Sequence, residues 1–268
     1  MRKAIILITL VAVLAAAALL SGCALTGPGN AVTEGNVVTE EKDFTDFTRV
    51  QVEGTFEVEI IRSDSFSIII SADESLFDYV EVSKVGETLR IYLNPRHTFT
   101  DFTWQEKTLK AKITMPNLYG LQLLGATTAT ATGFKSSENF NLDVSGASSL
   151  DMDDFEARDV KFEVSGASRV SGNITADDAE FEASGASSVV LEGSANDIIL
   201  NLSGASKIDL IDLPLSYASI NLSGASEATL NVKGRLDAVL SGASRLYFQG
   251  NPTMGDISVT GASTIKHK

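Results

Sequence analysis

The chain has 268 residues and a formal net charge of −14, from 21 Lys+Arg against 35 Asp+Glu. A chain this acidic is repelled by phosphate backbones and anionic lipid, which excludes a nucleic-acid partner. Aromatic residues are only 7% and glycines number 21, a balance that suits short strands and tight turns over a thin core better than a large compact globule.

Met1-Arg2-Lys3 is a short basic start, and Ala4 to Leu20 is an almost unbroken apolar run of 17 residues. That length is at the short limit for spanning a bilayer. With the small residues Ser21-Gly22 after it, the segment reads as a bacterial secretory signal over 1–22. Leu20-Ser21-Gly22-Cys23 resembles the lipobox of lipoprotein signal peptides, and this resemblance implies that Cys23 is acylated. Cys23 is the only cysteine, so it has no disulfide partner within the chain. The expectation is an extracytoplasmic protein, lipid-anchored to the cell membrane or envelope. Residues 23–42 are rich in Gly, Asn and Glu and read as a flexible tether reaching roughly 25 Å.

From Phe44 the pattern alternates at period two. Val50/Val52, Val58/Ile60, Phe66–Ile70, Val80/Val82, Leu89–Leu93 and Leu109–Ile113 are strand-like, with turns at Glu53-Gly54, Ser63-Asp64, Gly86-Glu87 and Asn94-Pro95. Arg96–Glu106 reads as a long exposed loop. The segment 43–123 is expected to supply β strands that cap the N-terminal end of the repeats beginning at residue 124, because bare strand edges recruit other chains.

Residues 124–268 repeat one phrase. Ser145-Gly146-Ala147-Ser148 recurs around Gly166, Gly185, Gly204, Gly224 and Gly242, with a variant at Thr260-Gly261-Ala262-Ser263 and a worn copy at Leu124-Gly125-Ala126-Thr127. The glycines are spaced by 18 to 21 residues, the signature of a solenoid. Apolar residues alternate on both sides of each phrase, as in Phe162/Val164 and Ile208/Leu210. Each phrase is therefore a corner between two short strands. Glycine permits the bend, alanine fits inside it, and the serines satisfy freed backbone groups. The fold expected is all-β: a right-handed parallel β-helix of about eight coils, with three short strands per coil and an N-terminal β cap.

Phe47-Thr-Arg-Val-Gln-Val-Glu-Gly-Thr-Phe-Glu-Val-Glu-Ile, Gly86-Glu-Thr-Leu-Arg-Ile, Ile113-Thr-Met-Pro-Asn-Leu and the Ser-Gly-Ala-Ser phrases together resemble the "putative auto-transporter adhesin, head GIN domain" family over roughly 44–265. The resemblance implies an extracytoplasmic β-solenoid, often on lipoproteins, and brings no catalytic residues with it.

Candidate sites are few. Phe99, Phe102 and Trp104, interleaved with Thr98, Thr100 and Thr103, suit stacking on sugar rings or gripping a partner; alternatively they fold back and plug the core. Asp151-Met152-Asp153-Asp154 has the oxygen ligands of a Ca²⁺ site but reads better as a solvated acidic turn. The track Asp151, Ser171, Val190, Asp209, Thr229, Tyr247 does not gather acids in neighbouring coils, which argues against a glycoside-cleaving carboxyl pair. His97 and His267 form no triad with the many serines. No metal or cofactor motif is present in the sequence. The reading is a non-catalytic envelope lipoprotein that binds a surface partner or glycan; the alternatives are a carbohydrate-active enzyme on the same scaffold and a structural or sensory component. Replacing Cys23 with Ala is expected to release the secreted protein from membranes; fractionation of producing cells checks this, and a membrane-bound variant would show that acylation is not the anchor.

Overall fold

The computed structural model describes residues 36–94 and 107–268. In chain order the elements are β1 (Val37–Lys42), β2 (Arg49–Gly54), β3 (Glu57–Arg62), β4 (Ser67–Asp73), α1 (Glu74–Phe77), β5 (Val80–Val85), β6 (Thr88–Leu93), β7 (Leu109–Met115), β8 (Gly120–Gly125), β9 (Thr128–Thr132), β10 (Phe140–Val144), β11 (Ser149–Glu156), β12 (Asp159–Val164) and β13 (Arg169–Thr175). They continue as β14 (Asp178–Ala183), β15 (Ser188–Ser194), β16 (Asp197–Leu202), β17 (Lys207–Leu222), β18 (Glu227–Leu240), β19 (Arg245–Gln249), β20 (Thr253–Val259) and β21 (Thr264–His267).

The chain winds into an all-β solenoid of about seven turns. One wall carries the strands that run into each corner: β6, β2, β8, β10, β12, β14, β16, the second halves of β17 and β18, and β20, all parallel. The other wall carries the strands that leave it: β7, β3, β9, β11, β13, β15, the first halves of β17 and β18, β19 and β21. Each turn has two strands, not three. Of the stretches expected to hold a third, residues 159–162 lie in β12 and 197–200 in β16, and these are the strands that enter the next corner, with no third strand beside them among the described residues of the turn. Period-two alternation persists through a bend, so the sequence pattern does not show where one strand stops.

Inward positions stack rung on rung. Leu121, Leu142, Phe162, Phe181, Leu200 and Ile220 form one buried column, and Ala129, Leu150, Val170, Val189, Ile208 and Ala228 another. Phe140, Phe162 and Phe181 meet edge to face, with centroids 6.3 and 5.2 Å apart, a favoured arrangement for aromatic quadrupoles.

The corners form a ladder of their own. The glycines have φ between +69° and +85° from Gly125 to Gly261. Each following alanine donates its N–H to the glycine carbonyl one turn below, as in Ala205 to Gly185 and Ala225 to Gly204, both 2.7 Å. The alanines are exposed, not tucked inside the bend. It is the last serine that points inward: Ser148, Ser168, Ser187, Ser206, Ser226 and Ser244 are at most 1% exposed. Ser206 and Ser226 donate their hydroxyls to the carbonyls of Ser203 and Ser223, at 2.6 and 2.8 Å. A larger apolar side chain there would leave that carbonyl unpaired.

The N-terminal region is more than a cap. β2 and β3 meet at Gly54 and make a rung of the same stack, since Ala126 donates to the Gly54 carbonyl at 2.7 Å. β6 and β7 add another parallel rung. The closing strands are antiparallel: β5 on β6, and β4 then β1 on β7. β1 shortens the stretch read as a tether. Thr39 and Glu41 bond Ser71 and Ser67 across the β1–β4 pair, and an exposed Glu40-Glu41 edge discourages further pairing.

A Cβ built on Gly204 would lie 2.5 Å from the Gly185 carbonyl oxygen, in a region of φ that side chains rarely adopt. Gly204→Val is therefore expected to destabilise by at least about 1–3 kcal/mol, and Ser206→Ala by about 1 kcal/mol, both read from urea unfolding. A Gly204 variant as stable as the parent would remove the stacked-corner assignment.

Candidate functional site

Outward residues on the leaving wall line a trough of about 540 Å³ across five rungs. β9 supplies Thr130 and Thr132, β11 Asp151 and Asp153, β13 Ser171 and Asn173, β15 Val190 and Glu192, and β17 Asp209 and Asp212. The strands break step at the trough's edge. β11 and β13 shift register between Met152 and Phe155, and Asp154 adopts φ 49°. In the next two rungs Gly172 and Gly193 bring backbone so close that a Cβ on either would sit 1.9 Å from a carbonyl of the turn below.

Five carboxylates line the trough and no Lys or Arg does. Ser171 donates to Asp151 at 2.9 Å and Asn173 to Glu192 at 3.4 Å, so hydroxyl and amide groups hold two of the acids. The acids are spread along the face: among the described residues no three His, Cys, Asp or Glu side chains come together as a metal site. Asp154 turns away and pairs with Lys135 at 2.7 Å. Sequence reasoning grouped Asp151, Asp153 and Asp154 and followed the track through Asp151 and Asp209, but it did not join Glu192 and Asp212 to them; Asp212 lies in the irregular stretch of β17 between Leu210 and Pro214, which alternation does not place.

The opposite wall differs in its charge pairing. Its outward column runs Gln122, Asp143, Glu163, Glu182, Asn201 and Asn221. Lys161 lies within 3.3 Å of Glu163, Glu180 and Glu182, and Gln122 donates to Asp143 at 2.8 Å. The acids there are largely paired.

This architecture matches known proteins. The family described as "Putative auto-transporter adhesin, head GIN domain" matches residues 46–252. The chain belongs to that family. No curated protein matches it. Among solved structures, this head GIN chain is similar to a putative adhesin from Parabacteroides distasonis (16% identity, TM-score 0.77, covering 88% of this chain and 98% of that one). It is similar also to a putative lipid binding protein from the same species (20%, TM-score 0.71, 87% and 97%) and to a putative adhesin from Bacteroides fragilis (18%, TM-score 0.67, 87% and 97%). At these identities the likeness is one of fold.

The aromatic candidates of the head GIN chain, Phe99, Phe102 and Trp104, lie outside the described residues, as does Cys23. Lys107, the first described residue after the aromatic candidates, pairs with the buried Asp73 at 3.0 Å, and Asp73 accepts the N–H of Ser75 at 3.0 Å as the N-cap of α1. The Ser75 hydroxyl and the Lys107 ammonium hold the Asp73 carboxyl below its ordinary 3.8. A carboxyl depressed on folding contributes stability above the unfolded value and loses it as pH falls through the folded one. Asp73→Asn is thus expected to lower stability at neutral pH and to flatten its decline below about pH 4, read from urea midpoints across that range; an unchanged acid limb would mean the pair is not coupled to folding.

Proposed function

We propose that this head GIN chain is a non-catalytic binding protein of the cell surface, held by a lipid on Cys23 and presenting the five-rung trough to a glycan or surface protein. The trough carries the proposal: it is concave, runs along the solenoid, and combines hydroxyl, amide and carboxylate groups without a base. Such a lining suits an extended neutral or cationic ligand rich in hydrogen-bonding groups and rejects anionic polymers. The family description and the adhesins among the structural neighbours agree with a surface role. A lipid ligand, as the name of one neighbour suggests, fits less well, because Phe140, Phe162 and Phe181 fill the interior.

A second reading has one observation in its favour. Asp151, Asp153, Glu192, Asp209 and Asp212 in a concave face are the residue type that cleaves glycosidic bonds. The open, spread arrangement supports binding over hydrolysis, which needs one carboxyl pair at a fixed separation.

The full chain in detergent, screened on a glycan array and on surface-protein extracts, is expected to give ligands whose affinity falls at least about tenfold in Asp151→Lys/Asp209→Lys. Asn201→Lys, on the opposite wall, should leave that affinity unchanged. Equal loss from both walls would refute the trough as the site, and turnover of a bound glycan that disappears in Asp151→Asn/Asp209→Asn would establish the enzyme.

A further inference from the structure

The two ends of the solenoid are built differently. At the β1 end the parallel stack is closed by antiparallel strands and by α1, whose Leu76 is fully buried while Phe77, Val80 and Val82 pack on the core. At the other end, β20 pairs with β18 and β21 with β19, and among the described residues no strand lies on their outer edges. The last rung also uncovers core positions. Met254 and Val259 lie over Leu236 and Leu240 in register, and Ile257 over Ala238. The lower three are 0%, 0% and 1% exposed, the upper three 45%, 44% and 39%. An apolar row flanked by two free strand edges is a template for another β structure.

Charge indicates which structure fits. Two copies of a chain with net charge −14 repel each other over most of their surface. Residues 241–268 are the exception: they carry Arg245, Lys266 and Lys268 against one acid, Asp256. Repulsion between copies is least here, where the apolar row is. The two edges also differ from each other, since β20 bears Asp256, fully exposed and 3.7 Å from Arg235 of β18, and β21 bears Lys266.

We infer that the rung formed by β20 and β21 is a homophilic interface, on which a second copy of this chain docks tail to tail about a two-fold axis. The axis that runs along the strands lays each β20 antiparallel on the partner's β21, which sets Asp256 against the partner's Lys266. The axis normal to the walls would instead oppose like edges and bring Lys266 onto the partner's Lys266. In the first arrangement the Met254, Ile257 and Val259 row is covered by the partner's β21, whose counterpart of Ile265 packs on the core; the charges select it.

The geometry has a functional consequence, which rests on the anchor reading of Cys23. The chain enters the solenoid at β1, the end opposite β20 and β21. A tail-to-tail pair therefore directs its two entry points away from each other, across two stacks that each rise roughly 45 Å at about 4.8 Å per rung. Anchors placed that way sit in opposing membranes. The pair would join two cells, or two envelope surfaces, without any other ligand.

Two experiments test this separately. In detergent, sedimentation of the full chain at micromolar concentration is expected to give twice the mass of one chain. Ile257→Lys/Val259→Lys should give monomers with unchanged circular dichroism and urea midpoint. Lys266→Asp should weaken the dimer about tenfold, and Asp256→Lys/Lys266→Asp should restore it. A monomeric parent, a dimer that survives Ile257→Lys/Val259→Lys, or open chains that lengthen with concentration would overturn the interface. Vesicles carrying the acylated full chain are then expected to aggregate, and those carrying Ile257→Lys/Val259→Lys to stay dispersed. Chain that dimerises yet fails to attach to vesicles refutes the anchor alone. Chain that attaches and dimerises without clustering them refutes the opposed arrangement.

Discussion

Backbone contact between successive glycines, one turn above the next, sets the pitch of this molecule. From Gly125 onward each corner glycine lies so close to the glycine below that a Cβ would approach its carbonyl oxygen to 2.2–2.6 Å. The short approach allows the next alanine to reach the same carbonyl, so hydrogen bonding runs unbroken through the bend. Many turns expose their backbone to water and end the ladder; here the turn is part of it. With both strands and corner in register, every inward side chain meets its counterpart at a fixed height. The columns of Leu, Val and Phe are then buried against one another, and the buried serine closes the core where the walls converge.

Stacking of this kind leaves open edges, and the two ends resolve them by different chemistry. At the entry end the chain reverses direction, placing β4, β1 and β5 antiparallel on the first rung with Glu40 and Glu41 on the outermost strand. Charge and reversed polarity both discourage further growth. At β20 and β21 neither device is present among the described residues, and the apolar column continues into solvent. The entry end is closed by reversed strands outside the repeat, whereas the last rung of the repeat leaves its inward apolar side chains exposed.

The same division between periodic and irregular features decides how much of the molecule is legible in its sequence. The corners are legible because Gly and Ser recur with the period of the coil, and the inward columns because apolar residues alternate around them. Alanine and serine are the reverse of the expectation in depth: composition marks both as small, but only geometry shows that Ser206 points in and Ala205 out. The edge strand β1 is hidden because Val37–Lys42 has few apolar residues and is held by backbone pairing and polar cross-strand contacts. The trough is hidden for a different reason. Alternation puts Asp151 and Asp153 on one outward face, but it does not place Asp212, which lies in the register shift of β17 between Leu210 and Pro214.

The walls show how a scaffold fixed by inward and corner positions can carry chemistry that is free to differ. Structural neighbours at 16–20% identity keep the fold with TM-scores of 0.67–0.77, as expected when stability depends on a few positions per turn. Outward positions are not all neutral to stability, however. Parallel in-register stacking places equivalent side chains roughly 4.8 Å apart, and like charges so placed destabilise by a few tenths of a kcal/mol or more. The entering wall removes this cost by setting Lys161 among three glutamates. The trough avoids it by spacing, since Ser171 and Val190 stand between Asp151 and Asp209 in the same column, although its lining holds five acids and no base. Two of its acids tie neighbouring coils through Ser171 and Asn173, and the carboxylate field that is left over acts on whatever approaches from outside.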